Sequence, residues 1–128
     1  MMNDSLRGFQ DFLEDVTEFS GLGDFIFLPL KTYSDGMSSR LMFALLTYQY
    51  HDCLALDEGL GTGGKQFYEK AQNRLNSFLN KSGSLFIASH STELLRKFCL
   101  RGIVFSSGKL IFDGEIEEAL SFYEEYNH

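Results

Sequence analysis

Residues 53–66, CLALDEGLGTGGKQ, join a short apolar run to a glycine-rich turn. Four apolar residues followed by Asp57 and Glu58 are typical of a buried strand that ends in carboxylates. The segment 59–65, GLGTGGK, also matches most of the phosphate-binding loop pattern G-x-x-x-x-G-K-[ST]. The two interpretations place a bound nucleotide at different positions, so this stretch decides the fold.

Two features disfavour the phosphate-loop interpretation. Gln66 stands where the pattern requires a metal-binding hydroxyl. Asp57 and Glu58 precede the loop, and each close pair of like charges costs about 4 kcal/mol at an effective dielectric constant of 20. A plain glycine-rich turn into a helix is a second alternative. In the favoured interpretation, Asp57 supports Mg²⁺ directly or through water, and Glu58 polarises a water that attacks a phosphate.

Length and charge limit the function further. The 128 residues suffice for one domain with its own core, and the net charge of −7 argues against nucleic acid or an anionic membrane surface as the main partner. The apolar runs are far shorter than the roughly 20 residues that span a bilayer, and the N-terminus lacks a signal-peptide pattern. We therefore expect a cytoplasmic protein without direct membrane insertion. Cys53 and Cys99 are expected to be buried thiols in a reducing compartment.

Hydrophobic periodicity and turn residues predict alternating helices and strands. The predicted order is an α/β fold with parallel central strands, in which the first two strands are buried and the last two form a hairpin. Ligands in such sheets bind at the carboxyl ends of the strands, where Asp57, Glu58 and His90 fall. The predicted helices span 5–19, 37–50, 65–80, 91–100 and 115–126, and the predicted strands span 52–57, 84–89, 102–107 and 109–114.

Two further features accompany the apolar run. Upstream, 31-KTYSDGMSSRL-41 is a serine- and glycine-containing loop that opens a helix, which suits an anion because of its free N–H groups and the helix dipole. Downstream, His90 follows the strand 84–89. A single histidine after a strand is more often a packed or capping residue, but the three features in this order favour a nucleotide site.

Taken together, these motifs resemble the C-terminal portion of an ATP-binding cassette subunit, in the branch that exports polysaccharides, O-antigens and teichoic acids. The segment 32–37, TYSDGM, is similar to the family's signature loop TYSSGM. The segment 54–64, with Phe67 after it, resembles the Walker B and D-loop passage LLLDEVLAVGD. His90 corresponds to the family's switch histidine, and residues 108–126 resemble its C-terminal ending.

The resemblance implies a partial P-loop NTPase-like sheet with parallel central strands, a C-terminal hairpin and flanking helices. It implies a single domain, in which residues 1–36 are a remnant of the helical subdomain with the signature loop and 37–128 carry the Walker B, D-loop and switch-histidine regions. Complete members bind ATP and Mg²⁺ and work with a membrane permease, as a homodimer or paired with another cassette. The implied site residues are Glu58 and His90 for catalysis, Asp57 for Mg²⁺, and Ser34, Asp35, Gly36 and Met37 for the ATP of the partner subunit.

The chain also departs from the family. No Walker A loop, base-stacking strand or Q-loop is recognisable, so ATP-dependent activity of the chain alone is not expected. Asp35 replaces a small residue in the signature loop, and Gly64 stands where the D-loop has aspartate. The resemblance also implies that a strand is missing between 84–89 and 102–106. These two strands should therefore either pair directly with each other or recruit a strand by dimerisation, a form of association.

The leading hypothesis is a truncated ATP-binding subunit of a polysaccharide-type exporter. The alternative is a non-catalytic interaction module that pairs with another cassette or with a permease. A cassette ATPase of the chromosome-maintenance type is disfavoured, because no coiled-coil heptads precede residue 31.

Overall fold

The structure is a computed structural model that describes residues 2–57, 64–81 and 83–127. It contains two compact units, Met1–Phe86 and Ile87–His128. The helices are α1 (Met2–Ser20), α2 (Asp35–Thr47), α3 (Lys65–Asn80), α4 (Thr92–Phe98) and α5 (Ile116–Tyr126), with short 3₁₀ helices at Gly23–Phe27 and Leu30–Thr32. The strands are β1 (Cys53–Asp57), β2 (Ser84–Ala88), β3 (Arg101–Ser106) and β4 (Lys109–Glu115).

Helices α1, α2 and α3 of the first unit meet in an aromatic cluster. The Phe19 ring stacks on Phe43 at 5.8 Å between centroids, and the edge of Phe67 meets both rings at 5.5 and 5.8 Å. All three side chains are buried. Aromatic pairs of this kind contribute about 0.5–1.5 kcal/mol beyond their buried area. The cluster therefore fixes how the three helices pack.

The first two strands form a two-stranded parallel sheet. Within β1 only Leu54 is buried, and β2 alternates between exposed and half-buried residues. The prediction that both strands are buried is therefore wrong, because each strand has only the other as a neighbour among the described residues. The prediction of two buried thiols is also wrong: Cys53 is exposed and Cys99 is only partly covered. Partial burial still raises the pKa of the Cys99 thiol by desolvation.

In the second unit, β3 and β4 form an antiparallel hairpin in which Val104 pairs with Phe112. The turn residues Ser107 and Gly108 have φ of 49° and 78°, the positive values that a tight two-residue hairpin turn requires. Helix α5 lies so close to β3 that a Cβ on Gly102 would approach the neighbouring Ala119 Cβ to 2.5 Å. Glycine at 102 thus permits the close packing of helix on hairpin.

The strands of the described chain fall into two separate sheets, with β1 beside β2 and β3 beside β4. Direct pairing of 84–89 with 102–106 is therefore a wrong prediction, whereas recruitment of a strand by association stays a prediction. The α/β class with a parallel pair, a hairpin and flanking helices is confirmed. In the part of the chain that the structure describes, no helix combines the length and the apolar character needed to cross a membrane.

Candidate functional site

The N-terminus of α2 carries the first group of candidate residues. Ser34 is the N-cap, and its Oγ accepts a hydrogen bond from the Met37 N–H at 3.2 Å. Its carbonyl oxygen accepts the Ser38 N–H at 2.9 Å. Helix geometry leaves the N–H groups of Asp35 and Gly36 without an intrahelical partner. The Ser34 hydroxyl can still donate its own proton, so two amides and one hydroxyl are available to an anion.

Tyr33, which directly precedes Ser34, positions this loop by contacting the first 3₁₀ helix. Its hydroxyl lies 3.0 Å from the carbonyl oxygens of both Phe25 and Ile26, in the first 3₁₀ helix. The Thr32 hydroxyl donates to the Pro29 carbonyl at 2.7 Å, which closes the second 3₁₀ turn. Sequence reasoning treated Tyr33 only as part of a motif. Its positioning role follows from the return of the chain toward residues 25–26, which no local pattern predicts.

Asp35 occupies the first turn of α2, where its carboxylate has two opposing effects. A negative charge at a helix N-terminus stabilises the helix by about 0.3–1 kcal/mol. The same charge competes with any phosphate for the positive end of the helix dipole. The loop therefore has the donors of an anion site together with a carboxylate that weakens it.

Asp57 is the last residue of β1 and is exposed. Glu58 and residues 59–63 lie outside the described residues, so the predicted role of Glu58 stays a prediction. Gly64 precedes α3 with φ 90° and ψ 169°. This backbone conformation is essentially restricted to glycine. It gives a local reason why Gly64 stands where the resembling family has aspartate.

His90 follows β2 and belongs to the second unit, whereas Ser34 and Asp57 belong to the first. The residues on either side of His90 form a short turn: Ser89 Oγ accepts the Ser91 N–H at 3.0 Å. Ser91 then caps α4, because its Oγ accepts the Leu94 N–H at 3.3 Å. His90 is exposed at this turn.

The hydrogen-bond donors and carboxylates of the described residues can be compared with the ligands that ATP and Mg²⁺ require. The amides at the start of α2 suit phosphate oxygens. Among the residues that the structure describes, no group of three or more His, Cys, Asp or Glu side chains could hold a metal ion. Asp57 can thus contribute one carboxylate ligand, but the described residues do not form a complete Mg²⁺ site. The described residues thus supply donors that suit phosphate and one carboxylate that suits Mg²⁺.

Comparison with known proteins identifies relatives of the chain, although no family model matches it. The teichoic acids export ATP-binding protein TagH of Lactococcus lactis is 35% identical over 114 residues, which are 89% of this chain and 24% of that protein. TagH of Bacillus anthracis is 31% identical over 126 residues, 98% of this chain and 23% of that protein. The O-antigen export system ATP-binding protein RfbE of Yersinia enterocolitica is 39% identical over 101 residues, 79% and 42% of the two chains.

The chain spans between about a quarter and less than half of the length of these relatives. The alignments nevertheless cover 79–98% of this chain. The resemblance inferred from the signature-like loop, the Asp57-Glu58 strand end and His90 is thereby confirmed. The chain is a homologue of the ATP-binding cassette proteins that serve teichoic acid and O-antigen export.

Proposed function

We propose that the chain is a truncated ATP-binding subunit of a polysaccharide-type exporter, which supplies the signature-loop side of an ATP site to a partner subunit. The partner carries the Walker A loop that this chain lacks, and the assembly couples ATP to transport through a membrane permease. The chain acts at the cytoplasmic face of the membrane through that permease. The names of the relatives support ATP binding and the export of teichoic acid or O-antigen.

The single observation that carries the proposal is the N-terminus of α2. Ser34 fixes the first turn through Met37, and the amides of Asp35 and Gly36 remain directed along the helix axis without intrahelical partners. Such an arrangement binds the terminal phosphate of an ATP that another subunit holds. The signature loop thereby contributes hydrogen-bond donors to the ATP site, whereas the phosphate-binding lysine belongs to the Walker A loop of the partner.

The remaining residues take roles carried over from the family. Asp57 serves Mg²⁺ directly or through water, and Glu58 polarises the attacking water. His90 contacts the γ-phosphate or that water. In phosphoryl transfer, positioning and charge neutralisation supply nearly all of the catalysis. We therefore expect the chain alone to hydrolyse ATP at background level, because the groups that cradle the phosphates are missing.

A non-catalytic interaction module is the second candidate, and Asp35 is the observation that favours it. A carboxylate placed where a phosphate must approach costs about 1–4 kcal/mol of binding, depending on the local dielectric constant. In this alternative the chain pairs with another cassette or with a permease, and the pairing does not depend on nucleotide.

Sedimentation of the fluorescently labelled chain with a full-length relative, with and without Mg²⁺-ATP, separates the two candidates. Substituting Ser34→Asp keeps an N-cap acceptor on α2 but adds a charge beside the phosphate. The control is Ser121→Asp, which adds the same charge at an exposed position of α5. We expect an ATP-dependent complex that Ser34→Asp weakens at least tenfold and Ser121→Asp leaves unchanged.

Association of equal strength without nucleotide supports the interaction module instead. Failure to associate under either condition excludes both candidates. A steady ATP turnover by the chain alone that disappears in Glu58→Gln would show that the chain needs no Walker A partner, contrary to the proposal.

A further inference from the structure

A cleft of about 480 Å³ opens in the first unit, between residues 46–51, the start of β1 and one face of α3. Its volume lies within the range of roughly 300–1,000 Å³ that is usual for small-molecule sites. None of the candidate nucleotide residues Ser34–Met37, Asp57 and His90 lines it. The cleft is thus separate from the site proposed above.

One face of α3 gives the cleft its polar character. Lys70, Asn73, Ser77 and Lys81 line it at intervals of three or four residues, which places them on the same side of the helix. Arg74 is a third cation on this face. No carboxylate is among the described side chains that line the cleft, although the whole chain carries a net charge of −7. The cleft is therefore a local positive site on an acidic protein.

The cations differ in what they can offer to a ligand. The Arg74 guanidinium already binds both carboxylate oxygens of Asp15 and the Thr47 hydroxyl, at 3.0–3.3 Å. Lys70 Nζ makes one long contact, 3.4 Å, with the backbone carbonyl of Glu18. Lys70 and Lys81 are both exposed. Two ammonium groups, rather than the guanidinium, are thus available to an anion.

Aromatic rings form the other wall. The Tyr50 and Phe78 rings lie 5.5 Å apart at an angle of 36°, and Tyr50 is 45% exposed. The Tyr50 hydroxyl donates to the Lys81 carbonyl oxygen at 3.1 Å. This bond ties the C-terminal end of α3 to residue 50. Tyr48 adds a third ring to the lining.

We propose that this cleft binds an organic phosphate composed of a ring and one or two phosphate groups. Ammonium groups are point charges that suit phosphate. The Arg74 guanidinium, whose paired N–H groups favour a planar carboxylate, is already bound to Asp15. Asn73 and Ser77 lie between the two lysines and supply neutral donors. The ring of the ligand packs against Tyr50 and Phe78, as aromatic and sugar rings do on exposed tyrosines.

The test is a nitrogen-15 NMR titration of the whole chain with phenyl phosphate, inorganic phosphate and phenol in turn. We expect phenyl phosphate to shift the amide signals of residues 48–51 and 70–81, with a dissociation constant in the millimolar range or below. Its affinity should exceed that of inorganic phosphate and of phenol by about tenfold, because only the ester can engage a lysine ammonium and the rings together. Equal affinity for the three probes, or shifts scattered over the surface, would overturn the proposal.

Variants assign the contacts. Lys81→Ala removes the lysine beside Tyr50 and should weaken binding of phenyl phosphate about tenfold, the usual effect of removing a charged partner. Lys70 lies about 16 Å farther along α3, so Lys70→Ala should weaken binding less. Tyr50→Leu should weaken phenyl phosphate and leave inorganic phosphate unchanged. Lys109→Ala removes an exposed lysine of the hairpin and is the matched control, and Ser34→Ala tests independence from the signature loop. If Lys109→Ala weakens binding as much as Lys81→Ala does, the interaction is only general electrostatic attraction and the proposal is wrong.

Discussion

The guanidinium carbon of Arg74 lies 3.7 Å from the centre of the Phe19 ring. The same guanidinium is paired with Asp15 of α1 at 3.0 Å, and its side chain is only 23% exposed. One side chain of α3 therefore joins the aromatic cluster to a charge on α1. A cation on a partly buried ring contributes about 0.5–2 kcal/mol, and a partly exposed ion pair contributes up to about 1 kcal/mol.

We expect Arg74→Met to lower the free energy of unfolding by about 1–3 kcal/mol. Methionine keeps much of the packing but loses the positive charge and the guanidinium N–H groups that bind Asp15. Arg74→Lys should lose about half as much, because it retains the charge. Urea denaturation followed by circular dichroism measures both variants. A loss below about 0.3 kcal/mol in Arg74→Met would mean that the stacked pair has no role in stability.

Asp35→Ser should change stability and ligand binding in opposite directions. Removing the carboxylate from the first turn of α2 should lower the free energy of unfolding by about 0.3–1 kcal/mol. It should also strengthen ATP-dependent association with a full-length relative at least fivefold, or about 1 kcal/mol, because a like charge no longer faces the phosphate. Asp11→Ser, on the exposed side of α1, is the control. Association unchanged by Asp35→Ser would argue against a phosphate at this helix end.

Gly102→Ala should destabilise the second unit by about 1–3 kcal/mol, because the added Cβ would meet Ala119 at 2.5 Å and Ile116 Cδ1 at 3.1 Å. The double variant with Ala119→Gly should recover part of the loss. Gly8→Ala in α1 meets nothing within 4 Å and should instead stabilise by up to about 1 kcal/mol. Thermal unfolding of the variants measures these differences, and equal effects at positions 102 and 8 would contradict the close packing.

The Arg101–Asp113 pair predicts a pH dependence for the hairpin. Arg101 Nε and Nη2 donate to the two carboxylate oxygens at 2.7 and 2.5 Å, and these hydrogen bonds together with the opposite charge lower the pKa of Asp113. A carboxyl with a lower pKa in the folded state stabilises the fold above its unfolded pKa of about 3.9. That stabilisation is lost as the pH falls through the lower folded value.

Urea midpoints measured between pH 2 and pH 7 test this relation. Asp113→Asn and Arg101→Gln should each lower the urea midpoint slightly at pH 7. Between pH 4 and pH 2, the midpoint of each variant should fall less than that of the wild type. The two variants should converge with the wild type at the acid end. If the urea midpoint of the wild type falls as little between pH 4 and pH 2 as that of Asp113→Asn, the pair is not linked to folding.

The helices were largely predictable because local patterns determine them. The apolar periodicity of residues 5–19 predicted α1, and the loop 31–41 was correctly predicted to open a helix. Helix α2 begins at Asp35, two residues before the predicted start, directly after its cap.

Burial was predicted less well, because the number of strands beside a given strand depends on the tertiary fold and not on local sequence. The apolar residues of β1 indicate a covered strand, yet Cys53 is exposed because β2 is its only neighbour among the described strands. Of the candidate site, the sequence predicted that the loop 31–41 opens a helix and that Asp57 lies at the end of a strand. It gave no indication of the contacts from Tyr33 to residues 25–26, which depend on the path of the chain between two helices.

The tight turn at Ser107-Gly108 also bears on the order in which the molecule folds. The hairpin brings Arg101 to Asp113 across 12 residues, whereas Arg74 reaches Asp15 across 59 residues. Closing the longer loop costs about 1.4 kcal/mol more in chain entropy. Hairpins form within roughly 1–10 μs, and contacts distant in sequence slow folding. The C-terminal unit should therefore acquire its structure early, and the docking of α3 onto α1 should limit the overall rate.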